Sequence, residues 1–212
     1  MDVDEKWRAV AGQRRVLADL ISGLSAQDLD RPSLCTRWRV RDVAAHVALT
    51  PASPGVLGIL AAAVRARGDF DEVNRAMAVA HADELGPALA DRLRAVADDR
   101  RKPVITTLDN LVFDTLVHVQ DVALPLDLEV GVPPEVAREG AERVWCMGWP
   151  FWARRRLRGL ELSATDTTWV RGHGEPVRGP IRDLLLVLTG RTRAVLPHLD
   201  GAGVRHLAAS SA

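Results

Sequence analysis

The chain has 212 residues, 47% of them hydrophobic, and its 28 basic and 28 acidic side chains give a formal net charge of zero. This composition predicts a globular protein of one domain, or of one domain with a small appendage, and argues against a nucleic-acid-binding protein. The apolar runs are too short to span a membrane, and the acidic amino terminus lacks the features of a signal peptide.

The chain contains two cysteines, Cys35 and Cys146, which form neither a CxxC pair nor a disulfide framework. We expect each to be a small packed side chain with a free thiol rather than a ligand or a nucleophile. Disulfides are rare in reducing compartments, so this cysteine usage predicts a cytoplasmic protein.

Helical patterns dominate the chain as far as residue 157. Apolar residues recur there at steps of three and four, and the patterns are bounded by Gly, Pro and capping residues. The predicted helices run over 4–23, 40–49, 56–67, 71–85, 87–99, 107–124 and 134–147. In the first of them Arg14 occupies an apolar position, and we expect only its aliphatic stem to be buried.

The pattern changes after Gly159. Short, alternating or β-branched segments separated by turn residues predict two or three antiparallel strands with a turn at Gly172 to Gly174, followed by a helix from Ile181. The predicted fold is therefore mainly α. A bundle of four main helices occupies 1–157, and a small α+β region at 158–212 is expected to pack on it.

The stretch "DTLVHVQD" places three ionisable residues on an otherwise apolar helix. At 3.6 residues per turn, Asp114, His118 and Asp121 fall on one narrow stripe. The remaining surface of this helix is apolar, so we expect the helix to be largely buried. A buried carboxylate or imidazole without a partner is costly, and the stripe must therefore have one.

A second apolar helix, "VRDVAAHVAL", contains His46. Carboxylates and imidazoles on facing helices of a bundle can hold a metal ion, and two imidazoles with one carboxylate leave coordination positions open for catalysis. The residues alone leave a second interpretation open, a buried ion pair between His118 and either Asp114 or Asp121.

The segments "CTRWRVRDVAAHVAL" and "DTLVHVQDVALPL", with the later "LSATDTTWVRGHGEPVRGPIRDLLLVLTGR", resemble the mycothiol-dependent maleylpyruvate isomerase family. The order and spacing of these segments carry the resemblance, which covers most of the chain. It implies a DinB-like four-helix metalloenzyme fold followed by a small carboxy-terminal region.

The resemblance also implies roles for individual residues. The family holds a metal with a histidine on the second bundle helix and with an acid and a histidine four residues apart, which correspond to His46, Asp114 and His118. The best-known members have glutamate at the position of Asp114. Asp121 is then an acid that orients a ligand or a structural acid at the helix end, and Arg191 corresponds to a carboxy-terminal catalytic arginine.

The function implied by the resemblance is a metal-dependent and mycothiol-dependent isomerase or thiol transferase. Its metal would be divalent, with zinc expected, and its substrate would be a small electrophile similar to maleylpyruvate. The alternative is a non-catalytic module of the same fold that binds a metal or a small ligand. We expect small molecules as partners, without nucleic acid or membrane, and either a monomer or a homodimer.

Overall fold

The computed structural model describes residues 1–52 and 70–210, so the helix predicted over 56–67 lies outside the described residues. The chain divides into two compact units, Met1–Val130 and Gly131–Ala212. The sequence pattern places the boundary at 157 instead. The difference arises because the helix at Pro134–Cys146 packs against the helix at Ile181–Leu188, which assigns both to the second unit. No helix in the described ranges is long and apolar enough to cross a membrane.

The first unit is helical, and four long helices form its bundle. Its α-helices are α1 (Val3–Ser22), α2 (Ala26–Leu29), α3 (Val40–Leu49), α4 (Phe70–Leu85), α5 (Leu89–Ala95) and α6 (Leu108–Ala123). The main helices α1, α3, α4 and α6 agree with the predicted pattern to within about one residue at each end. Short 3-10 turns at Thr50–Ala52, Gly86–Ala88 and Leu124–Leu126 follow α3, α4 and α6.

Helix α3 lies at the centre of this unit and packs against α1, α4, α5 and α6. Its Ala44, Ala45 and Ala48 are completely buried, and such small side chains let the neighbouring helices approach closely. Leu17 of α1 and Val119 of α6 belong to the same apolar core. The core therefore holds α3 and α6, the two helices with candidate ligands, in a fixed relation to each other.

Arg14 is buried along its whole length, so the prediction that only its stem is buried is wrong. One guanidinium nitrogen, Nη1, donates to the backbone oxygens of Val96, Ala97 and Asp99 at 3.0, 3.3 and 2.8 Å. These oxygens lie just after α5, which ends at Ala95 although the sequence pattern extends it to Asp99. The guanidinium thus replaces the backbone donors that a longer helix would have supplied.

The second unit combines short helices with a three-stranded sheet. Its elements are α7 (Pro134–Cys146), α8 (Ala153–Arg156), β1 (Gly159–Ala164), β2 (Val170–Gly172), β3 (Gly174–Gly179), α9 (Ile181–Leu188), α10 (Thr192–Val195) and α11 (Val204–Ser210). All strands of the described chain begin at or after Gly159. The predicted fold class, mainly α with a small α+β region at the carboxy-terminal end, is confirmed.

The sheet has the order β2-β1-β3, with β1 antiparallel to β2 and parallel to β3. The prediction of purely antiparallel strands is therefore wrong. Only His173 separates β2 from β3, and the chain crosses the start of β1 there. Gly172 and Gly174 have positive φ, and a Cβ on either one would overlap a backbone oxygen of β1. Glycine at both positions makes the crossing sterically feasible.

Candidate metal centre

Helix α6 carries the ionisable stripe through the interior of the first unit. The helix begins after Thr107, whose side chain accepts a hydrogen bond from the amide of Asn110, and it ends before Pro125. Most of its residues are buried, as predicted, and His118, Gln120 and Asp121 are buried polar residues among them. The apolar flanks thus fix the helix so that its stripe faces α3.

Three of the predicted site residues converge at one point. His118 Nε2 lies 3.4 Å from Asp114 Oδ1, and His46 Nε2 lies 3.8 Å from Asp114 Oδ2. One nitrogen or oxygen atom from each of the three side chains lies within 4.8 Å of the others. Asp114 and His118 meet because they are one turn apart on α6, and α3 supplies His46 from the facing side.

Neighbouring groups fix the orientation of both imidazole rings. Asp121 Oδ2 accepts a hydrogen bond from His118 Nδ1 at 2.9 Å, which leaves His118 Nε2 directed at Asp114. The His46 ring contacts the His118 ring nearly at right angles, with centroids 5.0 Å apart. Trp38 packs against His46 from another side at 5.5 Å. Asp121 therefore orients the His118 ring, and its predicted role of orienting a metal ligand stays a prediction.

The charges of this cluster stabilise one another. Burial raises the pKa of Asp114, but the neighbouring His118 and His46 outweigh burial and hold it well below its ordinary value. Burial has the opposite effect on His118 and lowers its pKa, but Asp114, Asp121 and Cys35 outweigh burial and raise this pKa well above 6.5. The cluster thus has the ion pair of the second interpretation, and it also includes His46, which a simple pair would not require.

Exposure increases across the site from one side to the other. The side chain of Asp121 is 0% exposed, that of His118 is 11%, that of His46 is 21% and that of Asp114 is 35%. A sealed structural metal site would bury all of its ligands. Here the side chain of Asp114 is partly exposed, so the cluster is not sealed from solvent on that side.

The donor set fits a divalent metal. Two imidazole nitrogens and one carboxylate oxygen are common ligands of catalytic zinc, and a tetrahedral ion held by them keeps one position open. The hydrogen bond from His118 Nδ1 to Asp121 is the outer contact that usually accompanies a metal-bound histidine, because it fixes the tautomer and strengthens Nε2 as a donor.

Asp42 lies four residues before His46 but faces a different partner. Its carboxylate accepts hydrogen bonds from the amide and the guanidinium of Arg39, at 2.8 Å from the amide nitrogen. This contact closes the first turn of α3 and helps to fix the start of the helix that carries His46. Asp42 therefore positions the helix and is absent from the cluster of candidate ligands.

Cys35 is a residue of the site that the sequence pattern did not identify. Its thiol donates to Asp121 Oδ2 at 3.1 Å and lies 3.9 Å from His118 Nδ1. The side chain is half-buried, and neither Cys35 nor Cys146 forms a disulfide in the structure, as expected. The only sequence signal was its place in a turn-rich segment shortly before α3, which does not indicate contact with α6.

Arg191 lies in the second unit, directly after α9. Its amide donates to the backbone oxygen of Leu186, and its guanidinium donates to the backbone oxygen of Thr189 at 2.8 Å. Both contacts close the carboxy-terminal turn of α9, where Gly190 has a positive φ. The assignment of Arg191 as a catalytic residue stays a prediction.

The comparisons with known proteins identify the sequence family and the fold. The sequence profile of the mycothiol maleylpyruvate isomerase N-terminal domain matches residues 10–123, more than half of the chain. The fold is similar to a crystal structure of the mycothiol-dependent maleylpyruvate isomerase, with a TM-score of 0.62 and 14% sequence identity over 95% of this chain and 93% of that one. A histidine-to-alanine mutant of that isomerase matches equally well.

The comparison with curated proteins gives no match. At 14% identity the structural likeness establishes the fold, and the sequence profile establishes the family. The profile ends at Ala123, the last residue of α6, so it includes all three candidate ligands. The chain therefore belongs to the family defined by the mycothiol maleylpyruvate isomerase N-terminal domain.

Proposed function

We propose that the protein is a metal-dependent enzyme that uses a small thiol, mycothiol, to isomerise a small electrophile similar to maleylpyruvate or to transfer the thiol to it. The observation that carries this proposal is the convergence of His46, Asp114 and His118 from two helices on one point. The family supports the choice of thiol, because mycothiol appears both in the name of the family's domain and in that of the similar crystal structure.

The three side chains would hold one divalent ion, and we propose zinc. A divalent ion held there would supply one thing, a lower pKa for a thiol bound to it, and thiolate would then be available at neutral pH. His46 and His118 would contribute neutral nitrogen ligands, and Asp114 would contribute the negative charge. Asp121 keeps the second nitrogen of His118 protonated, so that Nε2 retains its lone pair for the metal.

The proposed isomerisation needs no oxidant or reductant. The thiolate sulfur adds to one carbon of a conjugated double bond, the electron pair of that bond moves onto the conjugated carbonyl as an enolate, and the resulting single bond rotates. Collapse of the enolate then expels the same thiolate and re-forms the double bond in the other geometry. In a transferase the enolate would instead take up a proton from solvent, and the sulfur–carbon bond would persist. Arg191 is proposed to bind a substrate carboxylate through two parallel hydrogen bonds.

A non-catalytic module that binds a metal or a small ligand is the second candidate. The observation in its favour is Asp114, where the best-known family members have glutamate, because a shorter carboxylate changes the position of the metal. For either function we expect small-molecule partners, a cytoplasmic location and a monomer or a homodimer.

The decisive experiment measures metal, thiol binding and activity on the same preparation. Protein purified without added metal is analysed for elemental content, mycothiol binding is measured by calorimetry, and isomerisation of maleylpyruvate is followed by absorbance. Wild-type protein is expected to contain one divalent metal ion per chain, to bind mycothiol and to be active. Metal together with thiol binding but no turnover of any electrophile would favour the module.

The variant His118→Ala should lose bound metal and thiol-dependent activity while the bundle remains folded. His173→Ala is the matched control, because His173 is an exposed histidine in the turn between β2 and β3. The control should retain the metal content and activity of the wild type. An active, metal-free His118→Ala protein would overturn the proposed function.

A further inference from the structure

Cys35 is joined to the candidate ligand His118 through one carboxylate oxygen. Asp121 Oδ2 accepts the thiol hydrogen of Cys35 at 3.1 Å and the Nδ1 hydrogen of His118 at 2.9 Å. Asp121 is completely buried, so solvent does not satisfy its carboxylate. A buried carboxylate is stabilised mainly by the donors around it, and Cys35 and His118 are two of these donors.

The loop that carries Cys35 is hydrogen-bonded to the end of α6, and Pro125 makes this contact possible. A residue four positions after Asp121 would normally donate its amide to the backbone oxygen of Asp121, but proline has no N–H. That oxygen instead accepts the amide of Leu34 at 3.1 Å. The guanidinium of Arg31 also donates to the backbone oxygen of Pro125 at 2.8 Å. The chain on both sides of the thiol is thus held against this helix end.

Hydrogen bonds within the loop 33–38 restrict Cys35 further. The amide of Cys35 donates to Ser33 Oγ at 3.1 Å, and its backbone oxygen accepts the amide of Trp38 at 3.0 Å. The amide of Ser33 donates to the backbone oxygen of Trp38 at 2.9 Å. These hydrogen bonds fix the backbone of Cys35 in the conformation that directs its thiol at Asp121.

We propose that Cys35 is a positioning residue, whose thiol fixes the Asp121 carboxylate so that Asp121 holds the His118 ring with Nε2 directed at the metal. This inference rests on the proposed function, because it treats His118 as a ligand. Loss of a group that hydrogen-bonds a metal ligand, as Asp121 does, typically costs about 10-fold to 100-fold in metal affinity. Cys35 lies one contact further out, so we expect the lower end of this range. Cys35 itself would remain a thiol and would not contact the metal.

Cys35, His118 and Asp121 also lie close enough together to bind an ion by themselves. That arrangement would require His118 Nδ1 to give up its hydrogen and its bond to Asp121, and the thiol to give up its hydrogen as well. The His118 ring would then have to bind two ions, one through each of its nitrogens. The hydrogen-bonded arrangement satisfies all three groups as they stand, so we favour positioning, and the experiment distinguishes the two.

The test uses cobalt(II) as a spectroscopic probe on the full chain after removal of bound metal. Affinity is measured by competition with a chelator in the wild type, Cys35→Ala, Cys35→Ser and the control Cys146→Ala. Cys35→Ala should bind cobalt about 10-fold more weakly and shift the visible cobalt bands. Cys35→Ser retains a donor to Asp121 and should restore most of the affinity. Cys146 is an exposed thiol of the second unit, and its removal should change neither property.

Thermal unfolding of each metal-free variant checks that the substitutions leave the bundle folded. Cys35→Ala with the affinity and spectrum of the wild type would overturn the inference alone. A thiolate-to-cobalt charge-transfer band that disappears in Cys35→Ala would also overturn it, because Cys35 would then be a ligand. If the wild type itself takes up no cobalt, both the inference and the proposed function are wrong.

Discussion

Arg14 on the first helix and Thr50 at the end of the third are joined by a hydrogen bond of 3.0 Å from the buried guanidinium to the threonine hydroxyl. The hydroxyl in turn donates to the backbone oxygen of Val47 at 2.8 Å. Burial lowers the pKa of Arg14 to about 10, which leaves the side chain charged at neutral pH. One cation thus connects α1, the end of α3 and the chain after α5.

Replacement of this cation should destabilise the first unit strongly. Arg14→Leu leaves the backbone oxygens of Val96, Ala97 and Asp99 without their donor, and each unsatisfied buried group costs about 1–3 kcal/mol. We expect the free energy of unfolding in urea to fall by about 3 kcal/mol or more. The control Arg15→Leu changes an exposed neighbour on the same helix and should cost no more than about 0.5–1 kcal/mol. Equal losses in the two variants would contradict the structural role of Arg14.

The charge at position 114 should matter more for metal binding than the length of the side chain. Asp114→Asn keeps the size but removes the anion, and we expect the affinity for zinc to fall at least about 10-fold. Asp114→Glu retains the carboxylate and introduces the residue of the best-known family members, so it should still bind one ion. Competition with a zinc-binding dye measures the zinc affinity of both variants. Unchanged affinity in Asp114→Asn would show that Asp114 is not a ligand.

The metal-free protein should show a pH-dependent contribution from the pair of Asp114 and His118. The raised pKa of His118 gives stability that is complete below the unfolded value, about 6.5, and is lost as the pH rises through the raised value. The lowered pKa of Asp114 gives stability that is present above about 4 and is lost as the pH falls. The two contributions therefore coincide between about pH 4 and pH 6.5.

This window can be measured by urea unfolding of chelator-treated wild type and Asp114→Asn over a series of pH values. The difference in unfolding free energy between them should be largest between about pH 4 and pH 6.5 and should decrease on either side. Asp114 is about one-third exposed, so solvent screens part of the effect and the difference should be modest. A difference that grows steadily toward alkaline pH would contradict the pairing.

Arg191, if it binds a substrate carboxylate, should affect substrate affinity without affecting the metal. Arg191→Gln is expected to raise KM for a carboxylate substrate about 10-fold or more, the usual scale for the loss of a charge-assisted contact, with the metal content unchanged. Arg193→Gln, two residues further on, is the control and should leave KM near the wild-type value. A wild-type KM in Arg191→Gln would remove Arg191 from the proposed site.

The helices of the first unit were predictable because their apolar residues recur with the period of a helix. On α6, Asp114, His118 and Asp121 recur at steps of four and three in an otherwise apolar run, and the sequence displays this spacing directly. The family resemblance then singled out His46 as their partner. Periodicity by itself could not have done so, because it does not show which helix faces which.

The contacts that were missed all join distant parts of the chain. The hydrogen bond from Leu34 to the backbone oxygen of Asp121 depends on Pro125, which removes a backbone donor at the end of α6. No feature of the sequence near Leu34 indicates this contact. The depth of Arg14 was missed for a similar reason, since the backbone oxygens that its guanidinium binds lie more than 80 residues away. Local patterns reveal which face of a helix is buried, whereas the partner of a polar group in that face is set by tertiary packing.

The crossing at His173 has a consequence for how the small sheet is assembled. The strand at Gly159–Ala164 lies in the middle of the sheet yet is the first of the three in the chain, so a ribosome completes it before either neighbour. Each later strand can then add to an edge that already exists, and neither must insert between two strands already in place. The strands joined by the shortest connection never pair with each other, so new chain ends opened at His173 would leave every ladder of the sheet intact.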